Sequence, residues 1–283
     1  MELKKLFLRW NKLTALPAEI ANLSNLELLT ARNNKINVLP SLEGLNNLVE
    51  LDVQNNRLTE LPSLACLPNL KILDVQYNRL TALPEDVSAC KSLQRLHLRY
   101  NQIAELTAAH LSGLNDLVEL DIEANRLTTV PAEIGALSKL TTLYLGRNRI
   151  KELPEEFGNL ESLEELYLEE NFLSNISAVC PLSKLTVLNV STNALSGLPS
   201  SIVKLKALKD LFAGSNQITE LAPELGQLES LMHLDLNDNL LEELPPTVGE
   251  LKNLRILNLE GNQLLELPDE IGQAGNIQVL TLG

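Results

Sequence analysis

Two triplets hold the densest polar chemistry in the chain: Arg95, His97 and Arg99, then Glu119, Asp121 and Glu123. In each, alternate residues are charged, the spacing by which an extended strand points side chains to one face. Set side by side, the triplets predict three pairs: Arg95 with Glu119, His97 with Asp121, and Arg99 with Glu123. Asp74 would lie on the other side of His97. Carboxylates on both sides favour protonated histidine, so the patch would respond to mild acid. Exposed pairs of this kind contribute only about 0–1 kcal/mol each. Tyr77, Tyr100, Tyr144 and Tyr167 would rim the patch, and Tyr and Arg are enriched among residues that dominate binding energy. The patch therefore reads both as an ion-pair ladder and as a polar recognition site, and the two roles are compatible. A second candidate is the rim of Phe7, Arg9, Trp10 and Arg32, where the only tryptophan is exposed by register or packs against a cap.

Catalytic chemistry has no such support. The sequence contains no GxxxxGK[ST], HExxH, GxSxG or CxxC. His97, His110 and His233 fall in three repeats and on two faces, so a metal cluster is not expected. Ser, His and acid do not converge by register. The expectation is a non-enzymatic protein with no cofactor and no metal.

Residues more than twenty positions apart share a face only if the chain returns to the same place at a fixed interval. It does. Units open at Leu3, Leu26, Leu48, Leu70, Leu93, Leu117, Leu140, Leu163, Leu185, Leu208, Leu231 and Leu254, with a partial thirteenth from Ile277. In the stretch LVELDIEANRL, Leu117 to Leu127, the apolar positions and one asparagine repeat along the whole chain. The asparagine column reads Asn11, Asn34, Asn56, Asn78, Asn101, Asn125, Asn148, Asn171, Asn193, Asn216, Asn239 and Asn262, without exception in twelve full repeats. An amide offers donors and an acceptor together, so this ladder should satisfy backbone groups of its own and the next repeat; its role is structural. Each unit's middle residues should form a short strand, and stacked units share one core.

The pattern LxxLxLxxNxL is identified as that of the leucine-rich repeat superfamily, and it covers essentially the whole chain. The resemblance implies an α/β solenoid: a right-handed curved horseshoe, a parallel sheet on the concave face, and short helical or 3-10 turns on the convex face. Residues 1–283 would form one domain. The return segments carry LPxxIxxL, as in LPAEIANL at Leu16 to Leu23, where proline should open a short helical turn. This form resembles intracellular Ras-group repeat proteins. Three units are one residue short (LPSLEGL, LPSLACL, ISAVCPL), the fifth is one longer and lacks proline (LTAAHLSGL), and in the tenth proline has slid to Pro223.

Hydrophobic residues make up 45% of the chain but aromatics only 3%, which predicts an aliphatic core. No apolar run is long enough for a membrane span or a signal peptide. Cys66, Cys90 and Cys180 are odd in number and far apart. Cysteine-rich caps of extracellular relatives are missing, so the expected location is cytoplasmic. The three thiols read as hydrophobic filler. The net charge of −14 lies entirely in residues 151–283, with 7 basic and 21 acidic side chains. Nucleic acid is disfavoured, because phosphate binding needs a basic footprint. The functional expectation is a protein–protein interaction scaffold in signalling, binding through the concave face. Family resemblance points to a small GTPase or a phosphatase as partner, although no [RK]VxF segment is present. The alternative is the substrate-recognition arm of a larger enzyme, a kinase or ubiquitin ligase. The uncapped first and last repeats motivate that alternative, and an expectation of end-to-end self-association.

Overall fold

The computed structural model describes residues 2–283. It divides into two compact units, Met1–Tyr144 and Leu145–Gly283. The first holds strands β1 (Lys5–Phe7), β2 (Leu28–Thr30), β3 (Glu50–Asp52), β4 (Ile72–Asp74), β5 (Arg95–His97), β6 (Glu119–Asp121) and β7 (Thr142–Tyr144). Each pairs in parallel with the next, and the central leucines stay in register: Leu6, Leu29, Leu51, Leu73, Leu96, Leu120, Leu143. The second holds β8 (Glu165–Tyr167), β9 (Val187–Asn189), β10 (Asp210–Phe212), β11 (His233–Asp235), β12 (Ile256–Asn258) and β13 (Val279–Thr281). Its register runs through Leu166, Leu188, Leu211, Leu234, Leu257 and Leu280.

Three-residue strands are too short to stand alone; burial behind them holds the stack together. In both units the consensus leucines, isoleucines and valines fill the space between strands and return segments, most of them fully buried. Phe157 is the exception in size. It occupies the position where other repeats carry Ile20, Val87, Ile134 or Ile202, and it is wholly buried.

The return segments refine the sequence expectation. Proline stands one residue earlier than predicted, as the extended cap: Pro17 has φ −67° and ψ 147°, and its carbonyl accepts the Ile20 N–H at 3.1 Å. The 3-10 turn then covers Ala18–Asn22. Pro84, Pro131, Pro154, Pro199, Pro245 and Pro268 repeat this arrangement. Only where proline slid to Pro223, and at Pro246 behind Pro245, does it enter the turn itself. The short second and third return segments form plain turns rather than 3-10 helix, and the short eighth keeps three residues, Ser177–Val179. One residue fewer leaves no room for a full turn.

The fifth return segment, lacking proline, forms the only α-helix among the described residues, Ala108–Leu111. His110 closes its start: Nδ1 accepts the Thr107 N–H at 3.0 Å, and Nε2 donates to the Leu83 carbonyl at 3.1 Å. Gly113, at φ 85°, ends it in the left-handed conformation. Cys90 and Cys180 are buried and Cys66 is half-buried. Cys90 sits in the leucine position with its thiol pushed up to about 12 by burial. Among the described residues, no helix is long and apolar enough to cross a membrane.

Candidate recognition surface

The site is built from the turn at the end of each strand. Asn56 shows the pattern: Nδ2 donates to the carbonyls of Ala31 and Val53, both at 3.0 Å, and Oδ1 accepts the Ile36 N–H at 3.0 Å. Asn78, Asn101 and Asn125 repeat it in the first unit; Asn171, Asn193, Asn216 and Asn239 repeat it in the second. The amide thus ties its own repeat to the preceding one, not the next as the sequence suggested. Asn11 is exposed and, among the described residues, bonds only within its own repeat, to Leu8 and Arg9. Asn34, Asn148 and Asn262 lie on the same ladder.

The residue before each ladder asparagine is left-handed: Trp10, Asn33, Asn55, Tyr77, Tyr100 and Ala124 have φ between 52° and 59° in the first unit. Such a conformation favours Gly or Asn and is uncommon for bulky residues. The turn's hydrogen bonds impose it, which fixes Trp10, Tyr77 and Tyr100 at the margin of the sheet face. Tyr77 and Tyr100 stack with ring centroids 4.7 Å apart and an interplanar angle of 15°. The Arg99 guanidinium lies over the Tyr100 ring at 5.2 Å. Alternation of residues along the strands foretells neither the stack nor the strained backbone. A recurring bulky residue directly before the ladder asparagine is the available signal.

The two triplets do lie side by side on β5 and β6. Arg99 reaches Glu123 at 2.8 Å and Arg95 reaches Glu119 at 3.5 Å, as predicted. His97 departs from prediction. Its Nε2 meets Glu119 Oε1 at 3.1 Å and its Nδ1 lies 3.9 Å from Asp74, while Asp121 is only its Cα neighbour in register. The cause is local. Asp121 Oδ1 accepts the Glu123 N–H at 3.0 Å, closing the strand's end as an Asx turn. Asp52, Asp74, Asn189, Asp235 and Asn258 do the same in their repeats. At these six outward strand positions the side chain is a turn former, legible in the sequence as an Asp/Asn preference.

Two acids also sit deeper than expected: Asp121 is 7% exposed and Glu123 5%. Burial, with Glu123 adding to it, pushes the Asp121 carboxyl up to about 6, against the opposing pull of the Glu123 N–H, Arg99 and His97. For His97 burial works against the charged form, but the nearby carboxylates of Asp74, Glu119 and Asp121 outweigh it, so its pKa is raised. Tyr144 follows Asp121 in register on β7. Tyr167 belongs to the second unit, where its hydroxyl donates to Glu165 at 3.2 Å. At the other rim, Arg9 lies over Phe7 at 5.0 Å, the Trp10 N–H donates to the Arg32 carbonyl at 3.1 Å, and Trp10 is 76% exposed.

Parallel one-repeat strands, buried consensus leucines and an asparagine ladder define a repeat solenoid. The family described as leucine rich repeat matches residues 1–58, 68–127, 116–173 and 214–264, and its two-copy form matches 46–89. The chain belongs to the leucine-rich repeat family. None of the curated proteins matches it. Among solved structures, a leucine-rich repeat protein of Leptospira interrogans is 36% identical, with a TM-score of 0.88 over 95% of this chain and 71% of that one. The ectodomain of the Arabidopsis thaliana membrane receptor kinase GASSHO1/SCHENGEN3, solved with Casparian strip integrity factor 2, is 28% identical at a TM-score of 0.73. That likeness covers 99% of this chain, which spans 38% of the receptor chain. An internalin of Listeria monocytogenes, 24% identical at a TM-score of 0.74 over 98% and 86% of the two chains, shares the fold alone.

Proposed function

We propose that the chain is a protein-binding module and that the sheet face of its first unit carries the site. One observation supports this most: Arg99, stacked on Tyr100 and paired with Glu123, and Tyr77, stacked on Tyr100, are held rigid while Tyr77 stays 43% exposed. Rigid Tyr and Arg side chains lose little entropy on docking, which is why they concentrate binding energy. An ion-pair ladder alone would explain the charges but not the aromatic stack. The Arg95–Glu119 pair, with the Arg95 side chain 56% exposed, forms the wet rim expected around such a centre.

The finer reading is a scaffold in intracellular signalling. It rests on the LPxxIxxL return segments and their resemblance to Ras-group proteins, and it makes a small GTPase or a phosphatase the partner to try first. The second reading, the recognition arm of a larger receptor or enzyme, draws on the likeness to a receptor-kinase ectodomain solved with its factor.

The test is a pull-down with the wild-type chain and Arg95→Glu/Arg99→Glu, after circular dichroism shows both folded. Loss of a truncated hot-spot contact costs about 2 kcal/mol or more, so retention should fall at least about thirtyfold. Equal retention by the folded variant would place the partner elsewhere.

A further inference from the structure

The segment that leaves each asparagine turn forms one margin of the stack. Its first residue is held in register by a hydrogen bond to the repeat before: Lys35 to Leu13, Arg57 to Ile36, Arg79 to Leu58, at 2.8–2.9 Å. In the first unit this column reads Lys12, Lys35, Arg57, Arg79, Gln102, Arg126, and all five cations are exposed. None of the five forms an ion pair among the described residues. Three positions further along, this unit carries two exposed acids, Glu60 and Glu105, in non-consecutive repeats. Trp10 and Val38 (52% exposed) lie on the same margin, where Val38 bridges to Ala15.

In the second unit the same margin carries the opposite chemistry. Its first-residue column opens with Arg149 and then loses all charge, through Phe172, Ala194, Gln217, Leu240 and Gln263. Three positions further, Glu220, Glu243 and Glu266 recur in consecutive repeats, with Glu242 beside them, and all four are exposed. Leu240 and Leu265 stand among them, Leu265 at 86% exposed, around an open cleft of ≈ 790 Å³.

We infer that these two margins dock on each other between two copies of the chain, the Lys12–Arg79 ladder of one copy facing the Glu220–Glu266 ladder of another. Both ladders repeat once per strand, at about 4.8 Å, so successive charges can pair without slipping out of step. Each ladder also carries large exposed apolar groups, Trp10 and Val38 against Leu240 and Leu265, which complementary charge alone would not require. The first unit has a net charge of only −2, from 14 basic and 16 acidic side chains, so the acidic margin meets little overall repulsion there. This contact is independent of the sheet-face reading, since it uses neither Arg95 nor Arg99.

Sedimentation equilibrium of the full chain tests it. Association should be present at about 0.05 M salt and lost at about 1 M, where screening reaches about 3 Å. Arg57→Glu/Arg79→Glu should weaken it about tenfold or more, as should Glu220→Lys/Glu243→Lys. Mixing the two variants should restore a mixed dimer that neither forms alone. A chain monomeric at low salt overturns the proposal, as does association that survives about 1 M salt or a mixture that fails to pair. Arg95→Glu/Arg99→Glu should leave the dimer intact; its loss there would assign the dimer to the sheet face instead. Capture of a polyglutamate peptide by a chain that stays monomeric would make the occupant an acidic partner rather than a second copy.

Discussion

Asp121 and His97 are adjacent in register but answer to different partners, and both make the first unit sensitive to acid. The folded pKa of His97 lies above its ordinary 6.5. Its stabilising contribution is therefore complete below that value and fades as pH rises through the higher folded one. Asp121 is raised from 3.8 to about 6, so its contribution is complete below 3.8 and is lost as pH climbs through 6. Both effects have the same sign: the unit gains stability on going from neutral to mildly acidic solution. A carboxyl raised that far contributes about 3 kcal/mol at most. Asp121→Asn keeps an acceptor for the Glu123 N–H and removes the titration. Its urea midpoint should change less than that of wild type between about pH 7 and pH 5. Parallel midpoints in the two proteins would rule out Asp121 as the source. An NMR titration in which His97 Cε1 moves at or below an ordinary histidine midpoint would remove the other half.

At the scale of elements, the strands and the core are readable because every repeat faces the same burial problem and solves it with the same spacing. Leu29, Leu51, Leu73 and Leu96 align because the period aligns them. The turns are harder to read. Asp52, Asp74 and Asp121 look like outward charges when only alternation is considered, yet each closes a strand end through a bond to its own backbone. The Tyr77–Tyr100 stack depends on a left-handed φ that no propensity assigns to tyrosine. Return segments one residue shorter lose all or part of their 3-10 turn, an effect of length rather than composition. The fifth return segment shows the reverse. Sequence places His110 only outside any metal cluster, whereas in the fold it caps the helix and reaches back to Leu83. His110→Leu should lower stability by about 1–3 kcal/mol, because the buried Leu83 carbonyl loses its donor. Chemical denaturation measures this, and an unchanged midpoint would show that the cap is dispensable.

For the molecule as a whole, charge is the feature that differs most between the units. The first has a net −2 and the second, with 9 basic and 21 acidic side chains, −12. Self-repulsion destabilises a compact state, and salt relieves it. Amide hydrogen exchange in residues 145–283 should therefore slow on adding about 0.5 M salt, with little change in residues 2–144. Equal slowing in both would point to a general salt effect. The asparagine ladder has a different consequence. Asn56 and Asn78 each seal the seam to the repeat before with the same two bonds, one donated and one accepted, and hold their own turn with a third, whatever the residues displayed on the faces. A gene encoding such a chain can gain or lose one whole period by unequal recombination, and the seam closes again behind the change. The surface can thus be lengthened, shortened or rewritten one repeat at a time, while a cut at half a period leaves a donor facing no acceptor.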